Sequence, residues 1–209
     1  MTVLSEEQIK APYFNTIGGF PPAKILKELK DYNGEEQICV ACTQLDSHKD
    51  YSTYSQRERK SILDEWIEFL RTNTGALKAL HFNSRVPQAL FDAACQQENL
   101  EELRFKWGAY LDLSALEYLD KLQFLYLGPG AGIQDITALE KLENLVVLHM
   151  VGFKKMEDYS QLASLDKLEQ LVIAGATLQY TPMKDLEFLR EMPNLRSVAL
   201  GGIKFETIK

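Results

Sequence analysis

Few residues in this chain carry obvious chemistry, and the first are Cys39 and Cys42, spaced C-x-x-C. That spacing suits a redox dithiol or one half of a zinc site. Zinc needs four ligands, and the sequence holds no second C-x-x-C and no H-x-x-x-H. A redox dithiol needs its first thiol at a helix amino terminus, where the dipole lowers its pKa. Ile38-Cys39-Val40-Ala41-Cys42 reads instead as a short apolar strand, in which residues three apart face opposite sides. The pair is expected as buried structural thiols, with no metal and no cofactor. A thiol-redox enzyme is the lesser alternative.

Gly128-Pro129-Gly130-Ala131-Gly132 has the glycine content of a phosphate loop but closes with Ile133-Gln134 rather than Lys-Ser/Thr. It is expected as a turn in which glycine supplies positive φ. His48, His81 and His149 are scattered along the chain, and no nucleophile stands beside a base. No catalytic residue is assigned, and the chain is not expected to be an enzyme.

The elements that must position these residues follow from a repeat. The frame L-x-x-L-x-L occurs six times: Leu77-Leu80-Phe82, Leu100-Leu103-Phe105, Leu122-Leu125-Leu127, Leu145-Leu148-Met150, Leu168-Leu171-Ile173 and Leu195-Val198-Leu200. First leucines are 23, 22, 23, 23 and 27 residues apart. Each frame opens a period-2 alternation, which is a half-buried strand. The back half of each unit shifts to spacing three, as in Leu113-Leu116-Leu119-Leu122 and Ile136-Leu139-Leu142-Leu145. Spacing three makes a 3₁₀-like return with one apolar face. The first return, Val86-Pro87 to Gln97, carries Leu90, Phe91 and Ala94 at i, i+3, i+4 spacing and is expected as an α-helix. No unit can cover its own apolar face, so the units must stack, strands on one side and returns on the other.

In these six in-phase copies, residues 77–200 resemble a leucine-rich-repeat array with 22–23-residue repeats, of the internalin-like or bacterial cytoplasmic type. The resemblance implies an α/β solenoid, a short horseshoe with its parallel sheet on the concave side and short helices or 3₁₀ turns on the convex side. It also implies protein binding. The family usually carries Asn or Cys at the ninth repeat position, where this chain has Arg85, Gly108, Gly130, Phe153, Ala176 and Ile203. The turn groups are expected to find other partners.

Residues 1–76 read as an amino-terminal cap with an atypical first repeat, and residues 77–209 as the repeats with a last edge strand at Ile203-Lys204-Phe205, all in one continuous domain. Ser5 with Gln8 reads as a capping box. Pro21-Pro22, the segment 23–32 and Asn33-Gly34 read as a helix with a proline start and glycine stop. Ile62, Trp66, Phe69 and Leu70 mark a helix ending before Gly75. The cap is expected to supply one extra edge strand and to cover the first leucine layer, and the long polar loop 44–56 is a candidate contact element.

Composition narrows the partner class. The net charge of −7 lacks the clustered Lys and Arg that nucleic-acid binding needs. No stretch is apolar and long enough to span a bilayer, and the amino terminus lacks the pattern of a secretory signal. Three cysteines do not make a disulfide framework, so a cytoplasmic setting is expected. The concave positions run from polar rows (His81, Asn83, Glu102, Arg104, Lys106) through an aromatic and apolar pair of rows (Phe124, Tyr126, Val147, His149) to small residues. The stripe His81-Arg104-Tyr126-His149 suits a carboxylate or phosphate group. Exposed aromatics rimmed by charge mark an interaction surface. The expected function is non-enzymatic binding of another protein, with Phe124, Tyr126, Val147 and His149 as anchors, Glu102 and Arg104 setting register, and Trp107 extending the patch. An inhibitor or immunity protein that neutralises an enzyme or toxin is one form of it. A cap or dimer mate covering the same face is the competing reading.

Overall fold

The computed structural model describes residues 3–14, 25–45 and 54–205. Strands β1 (Ile25–Leu26), β2 (Gln37–Val40), β3 (Ala79–Pro87), β4 (Glu102–Ala109), β5 (Phe124–Leu127), β6 (Val147–Val151), β7 (Gln170–Ala174) and, after a short β8 (Thr181–Met183), β9 (Ser197–Gly201) build one sheet in the order β1-β2-β3-β4-β5-β6-β7-β9. Every pairing is parallel, and the register joins equivalent repeat positions: Leu80 to Leu103, Leu103 to Leu125, Leu125 to Leu148, Leu148 to Leu171. The strand β10 (Ile203–Phe205) pairs with β8 as a separate two-stranded sheet. β8 occupies the 27-residue interval before the last frame, where the repeat is longest.

Parallel strands need a crossover, and the spacing-three leucines supply it. Five-residue 3₁₀ helices span Ser114–Tyr118, Thr137–Lys141, Ser160–Ser164 and Glu187–Glu191. An aspartate starts each one, its carboxylate accepting the N–H two residues on: Asp112 from Ser114, Asp135 from Thr137, Asp158 from Ser160 and Asp185 from Glu187, at 2.8 to 3.0 Å. Those bonds fix the turn where the chain leaves extended geometry. The first return is a true α-helix, α3 (Gln88–Ala94), following α1 (Glu6–Ile9) and α2 (Gln56–Thr72).

Between sheet and returns the leucines form a dry column. The leading leucines Leu77, Leu100, Leu122, Leu145 and Leu168 and the fourth-position Leu80, Leu103, Leu125, Leu148 and Leu171 are fully buried. Phe82 stacks on Phe105, and Phe91 on Tyr110. At the amino-terminal end α2 lays Ile62, Trp66 and Leu70 on the column, and the Trp66 indole donates to the Lys27 carbonyl at 2.9 Å. At the other end Val198 and Leu200, equivalent to the buried Leu171 and Ile173, are 42% and 37% exposed.

Three expectations need correction. The helix expected over 23–32 is replaced, from residue 25 on, by β1 and a one-turn 3₁₀ helix at Leu29–Asp31; pairing of Ile25 and Leu26 with Cys39 and Val40 overrides local helix propensity. The residues before β2 therefore add a second extra strand. The turn after β5 uses glycine for close approach and not for positive φ, which among described glycines occurs at Gly34, Gly152 and Gly202. A Cβ at Gly128 would lie 2.2 Å from the Lys106 carbonyl oxygen.

Backbone groups replace the missing asparagines of the turns: Gly128 N–H donates to Phe105 O, Gly152 N–H to Ala174 O and Gly175 N–H to Gly201 O, at 2.7 to 2.8 Å. Asparagines bridge repeats at a different corner, before the leading leucine. Asn99, Asn144 and Asn194 donate to the carbonyls of Gly75, Asp120 and Asp166, and Lys121 and Lys167 donate to the side-chain oxygens of Asn99 and Asn144 at 2.6 Å.

Candidate functional site

Register sets the concave face, the side of the sheet away from the column. One row runs Cys39, His81, Arg104, Tyr126, His149, Val172, Ala199, and its neighbour runs Ala79, Glu102, Phe124, Val147, Gln170, Ser197. The expected residues Glu102, Arg104, Phe124, Tyr126, Val147 and His149 thus fall in one contiguous block. The expectation that its aromatics are exposed is not met. Tyr126 is 7%, His149 1% and Val147 0% exposed, and Arg104 is buried as well. The cover is the chain's own residues 3–14, so the reading in which a cap lies over this face describes the structure.

This strap is held at its two ends. At one end Glu169 on the strand edge accepts the N–H groups of Val3 and Leu4, while Arg196 donates to the Leu4 carbonyl and to Glu169, both at 2.8 Å, and to Glu6 at 2.5 Å. Burial raises the Glu169 carboxyl, but the bonds from Val3, Arg196 and Leu4 outweigh it and hold the group below its ordinary range. Between them α1, closed by the expected Ser5–Gln8 capping box, carries the chain across exposed. At the far end the Gln170 carboxamide accepts the Tyr13 N–H at 2.5 Å and donates to the carbonyl of Ala11 at 3.0 Å.

Side chains fill the gaps between these bonds. Leu4 and Phe14 are buried in a cluster with Tyr126, Val146 and Val147. Tyr13 stacks on Phe124 with ring centroids 4.5 Å apart and donates to Glu102 at 3.2 Å, and Phe14 meets Tyr126 and His149 edge-on. The Arg104 guanidinium lies 4.9 Å over Tyr126 and 5.8 Å from Phe14. Glu102 also contacts His81 Nε2 at 2.6 Å. His149 Nε2 donates to Gln170 at 3.3 Å. Burial keeps that ring neutral, its pKa lowered to about 4; the Gln170 bond opposes the shift and the Arg104 charge adds to it.

Glu169, Gln170 and Arg196 are the residues that the repeat pattern did not single out as site residues. Glu169 and Arg196 stand at the second frame position, directly after Leu168 and Leu195, outside the positions that alternation assigns to the concave face. The apolar pairs Val3-Leu4 and Tyr13-Phe14 and the Ser5–Gln8 capping box are the sequence traces of the strap.

Trp107 stays outside the strap. It is half-buried at the end of β4, with the Lys106 ammonium 4.9 Å from its ring. Together with Asn83, Tyr126, Pro129 and Gln179 it lines an open groove of 960 Å³.

The thiols have no activating surroundings. Cys39 lies in the His81–Arg104 row and Cys42 in the core cluster, on opposite sides of the strand. Both are buried and free. Burial pushes Cys39 up to about 11, with the Arg104 charge pulling weakly the other way, and Cys42 up to about 12. Among the described residues no group of three or more His, Cys, Asp or Glu is placed to hold a metal, and no helix is long and apolar enough to cross a membrane.

The sequence matches no protein-family model and no curated protein. Solved structures similar to the chain include an internalin, InlF of Listeria monocytogenes, at 20% identity and TM-score 0.44 over 64% of this chain and 50% of that one. A plant peptide hormone receptor, RGFR1 in complex with RGF2, is similar at 15% identity and TM-score 0.43 over 66% and 26%. Internalin C2 of Listeria monocytogenes is similar at 22% identity and TM-score 0.33 over 66% and 77%. The chain spans half the length of the first of these and about a quarter of the receptor. With parallel strands in repeat register on one side, returns on the other and a leucine column between them, the chain has a leucine-rich-repeat-type fold.

Proposed function

We propose that this chain is a non-enzymatic protein-binding module, cytoplasmic, whose concave face takes an extended segment of its partner. One observation carries the reading: the face already holds a short segment of chain, and does so by side chains that bond its backbone. Glu169, Gln170 and Arg196 accept from or donate to main-chain groups of residues 3–13, contacts that any peptide in this path offers. Phe124, Tyr126, Val147, His149, Arg104 and Glu102 then select side chains, and Trp107 extends the surface into the open groove. Aromatic and Arg side chains are the usual anchors of such surfaces.

The test is capture of a partner from the native lysate by the full chain and by the Phe124→Ala/Tyr126→Ala variant. The variant keeps its circular dichroism spectrum, because the strand backbone and the column are untouched, and captures nothing. Retained capture overturns the assignment.

A further inference from the structure

The two faces of this sheet differ in what covers them and in polarity. Behind the sheet, the strap-facing rows have apolar counterparts throughout, Leu103, Leu125, Leu148 and Leu171. Beneath the strap Glu102, Arg104, His149, Glu169, Gln170 and Arg196 stand beside an apolar cluster in which Leu4, Ile9, Tyr13 and Phe14 meet Phe124, Tyr126, Val146 and Val147. Six of the side chains that line this face hydrogen-bond readily to water, so the face is mixed where the column is apolar. Glu169 and Arg196 bond each other at 2.8 Å without any strap atom between them. Surfaces that separate and rejoin are polar in this way, whereas permanent ones resemble a core cut in half.

The strap also contributes nothing to the continuity of the fold. None of residues 3–14 pairs with a strand of the sheet, and α1 buries no side chain. Its bonds to the sheet reach residues 89 to 192 positions away in sequence, so it can detach without unwinding a repeat.

We propose that residues 3–14 are a tethered occupant of a peptide groove, and that the partner segment which displaces them carries the same chemistry. That segment has a buried aliphatic side chain whose own and preceding N–H groups reach the Glu169 carboxylate. An acidic residue two positions on meets Arg196, as Glu6 does, and a pair of adjacent aromatics is spaced as Tyr13 and Phe14 are, the first to stack on Phe124 and the second to sit between Tyr126, His149 and Arg104. This deepens the concave-face reading above and rests on it. Backbone bonds supply affinity and the pockets supply selectivity, as in other modes of extended-peptide recognition. Because the strap is tethered, it competes at high effective concentration, and the partner's segment binds only as far as it outcompetes it.

The probe is a fluorescein-labelled synthetic peptide of residues 3–14, titrated by anisotropy against three full-length chains: wild type, Tyr13→Ala/Phe14→Ala, and that variant with Glu169→Ala added. The strap-weakened chain binds the peptide at least ten-fold more tightly than wild type, a scrambled peptide does not bind, and Glu169→Ala removes the gain. A strap-weakened chain that is folded by circular dichroism yet binds no better than wild type overturns the proposal. Hydrogen exchange on the wild-type chain gives a second reading that needs no variant. The amides of Leu4 and Tyr13 exchange orders of magnitude faster than those of Leu125 and Leu148; equal protection shows the strap to be a fixed layer and overturns the proposal. Failure of the partner reading looks different: capture persists in Phe124→Ala/Tyr126→Ala whatever the peptide does.

Discussion

The sheet of this protein buries one face under the returns and, across β4 to β7, part of the other under the strap, and the two burials obey different rules. Behind the sheet, every repeat contributes the same apolar positions, and each leucine contacts its equivalents one repeat away, so Leu125 sits between Leu103 and Leu148 in register. The polar groups of Gln97, Tyr110 and Tyr159 on that side lie among the returns and not in the leucine rows. In front, the strap meets a different set of residues on each of β4 to β7, and it is held by carboxylate, carboxamide and guanidinium groups as much as by Leu4 and Phe14. A column of one residue type gives continuity along the solenoid; a varied, polar face gives a surface that discriminates among segments laid across it. The difference separates the residues that make the fold from those that give it something to hold.

Three perturbations sharpen that contrast. The largest effect belongs to the column: Leu125→Ala leaves a cavity bounded by neighbouring leucines that cannot collapse into it, and lowers stability by about 3 to 4 kcal/mol in a denaturant titration. The strap's closure, measured in parallel by exchange at Leu4 and Tyr13, changes far less. A loss well under 1 kcal/mol at Leu125 breaks the comparison.

Next comes pH, which acts on the front face. His149 is held neutral with its pKa lowered from 6.5 to about 4. Between those values the uncovered or unfolded chain binds a proton that the closed form refuses, so closure is at full strength above about pH 6.5 and weakens as the pH falls towards 4. The shift corresponds to roughly 3 kcal/mol. Exchange at Leu4 and Tyr13 should accelerate across this window in the wild type and stay flat in His149→Gln, which keeps a polar side chain without the titration. A flat wild-type profile removes His149 from the closure equilibrium.

The smallest effect is expected at the corner ladder. Asn144→Ala deletes one bond to the Asp120 carbonyl and one acceptor for Lys167, both at the surface, and costs about 1 kcal/mol by thermal unfolding. Neither face is touched, so strap exchange is unchanged.

Local pattern made much of the fold legible. Frames at a nearly constant spacing gave the strands, their parallel register and the buried leucines, because period-2 and period-3 alternation report which side of a backbone faces the core wherever a segment packs against its own copy. The α-helix after Pro87, the capping box at Ser5 and the strand at Ile203–Phe205 are similarly local. β1 was read as helix because two strand residues, Ile25 and Leu26, are too few for alternation to register. The site was legible in part. Phe124, Tyr126, Val147, His149, Glu102 and Arg104 were placed on one face by register alone, while Glu169 and Arg196 were passed over because a residue one step outside the strand alternation has no assigned side until something arrives to bond it.

The sequence by itself determined the column, since nearest-neighbour stacking needs only the repeat and its phase. What covers the other face was decided by the tertiary structure. Val3, Leu4, Tyr13 and Phe14 have no periodic partner, and they find Glu169, Gln170 and Phe124 more than a hundred residues away only once the repeats have stacked and brought four separate strands under one short segment.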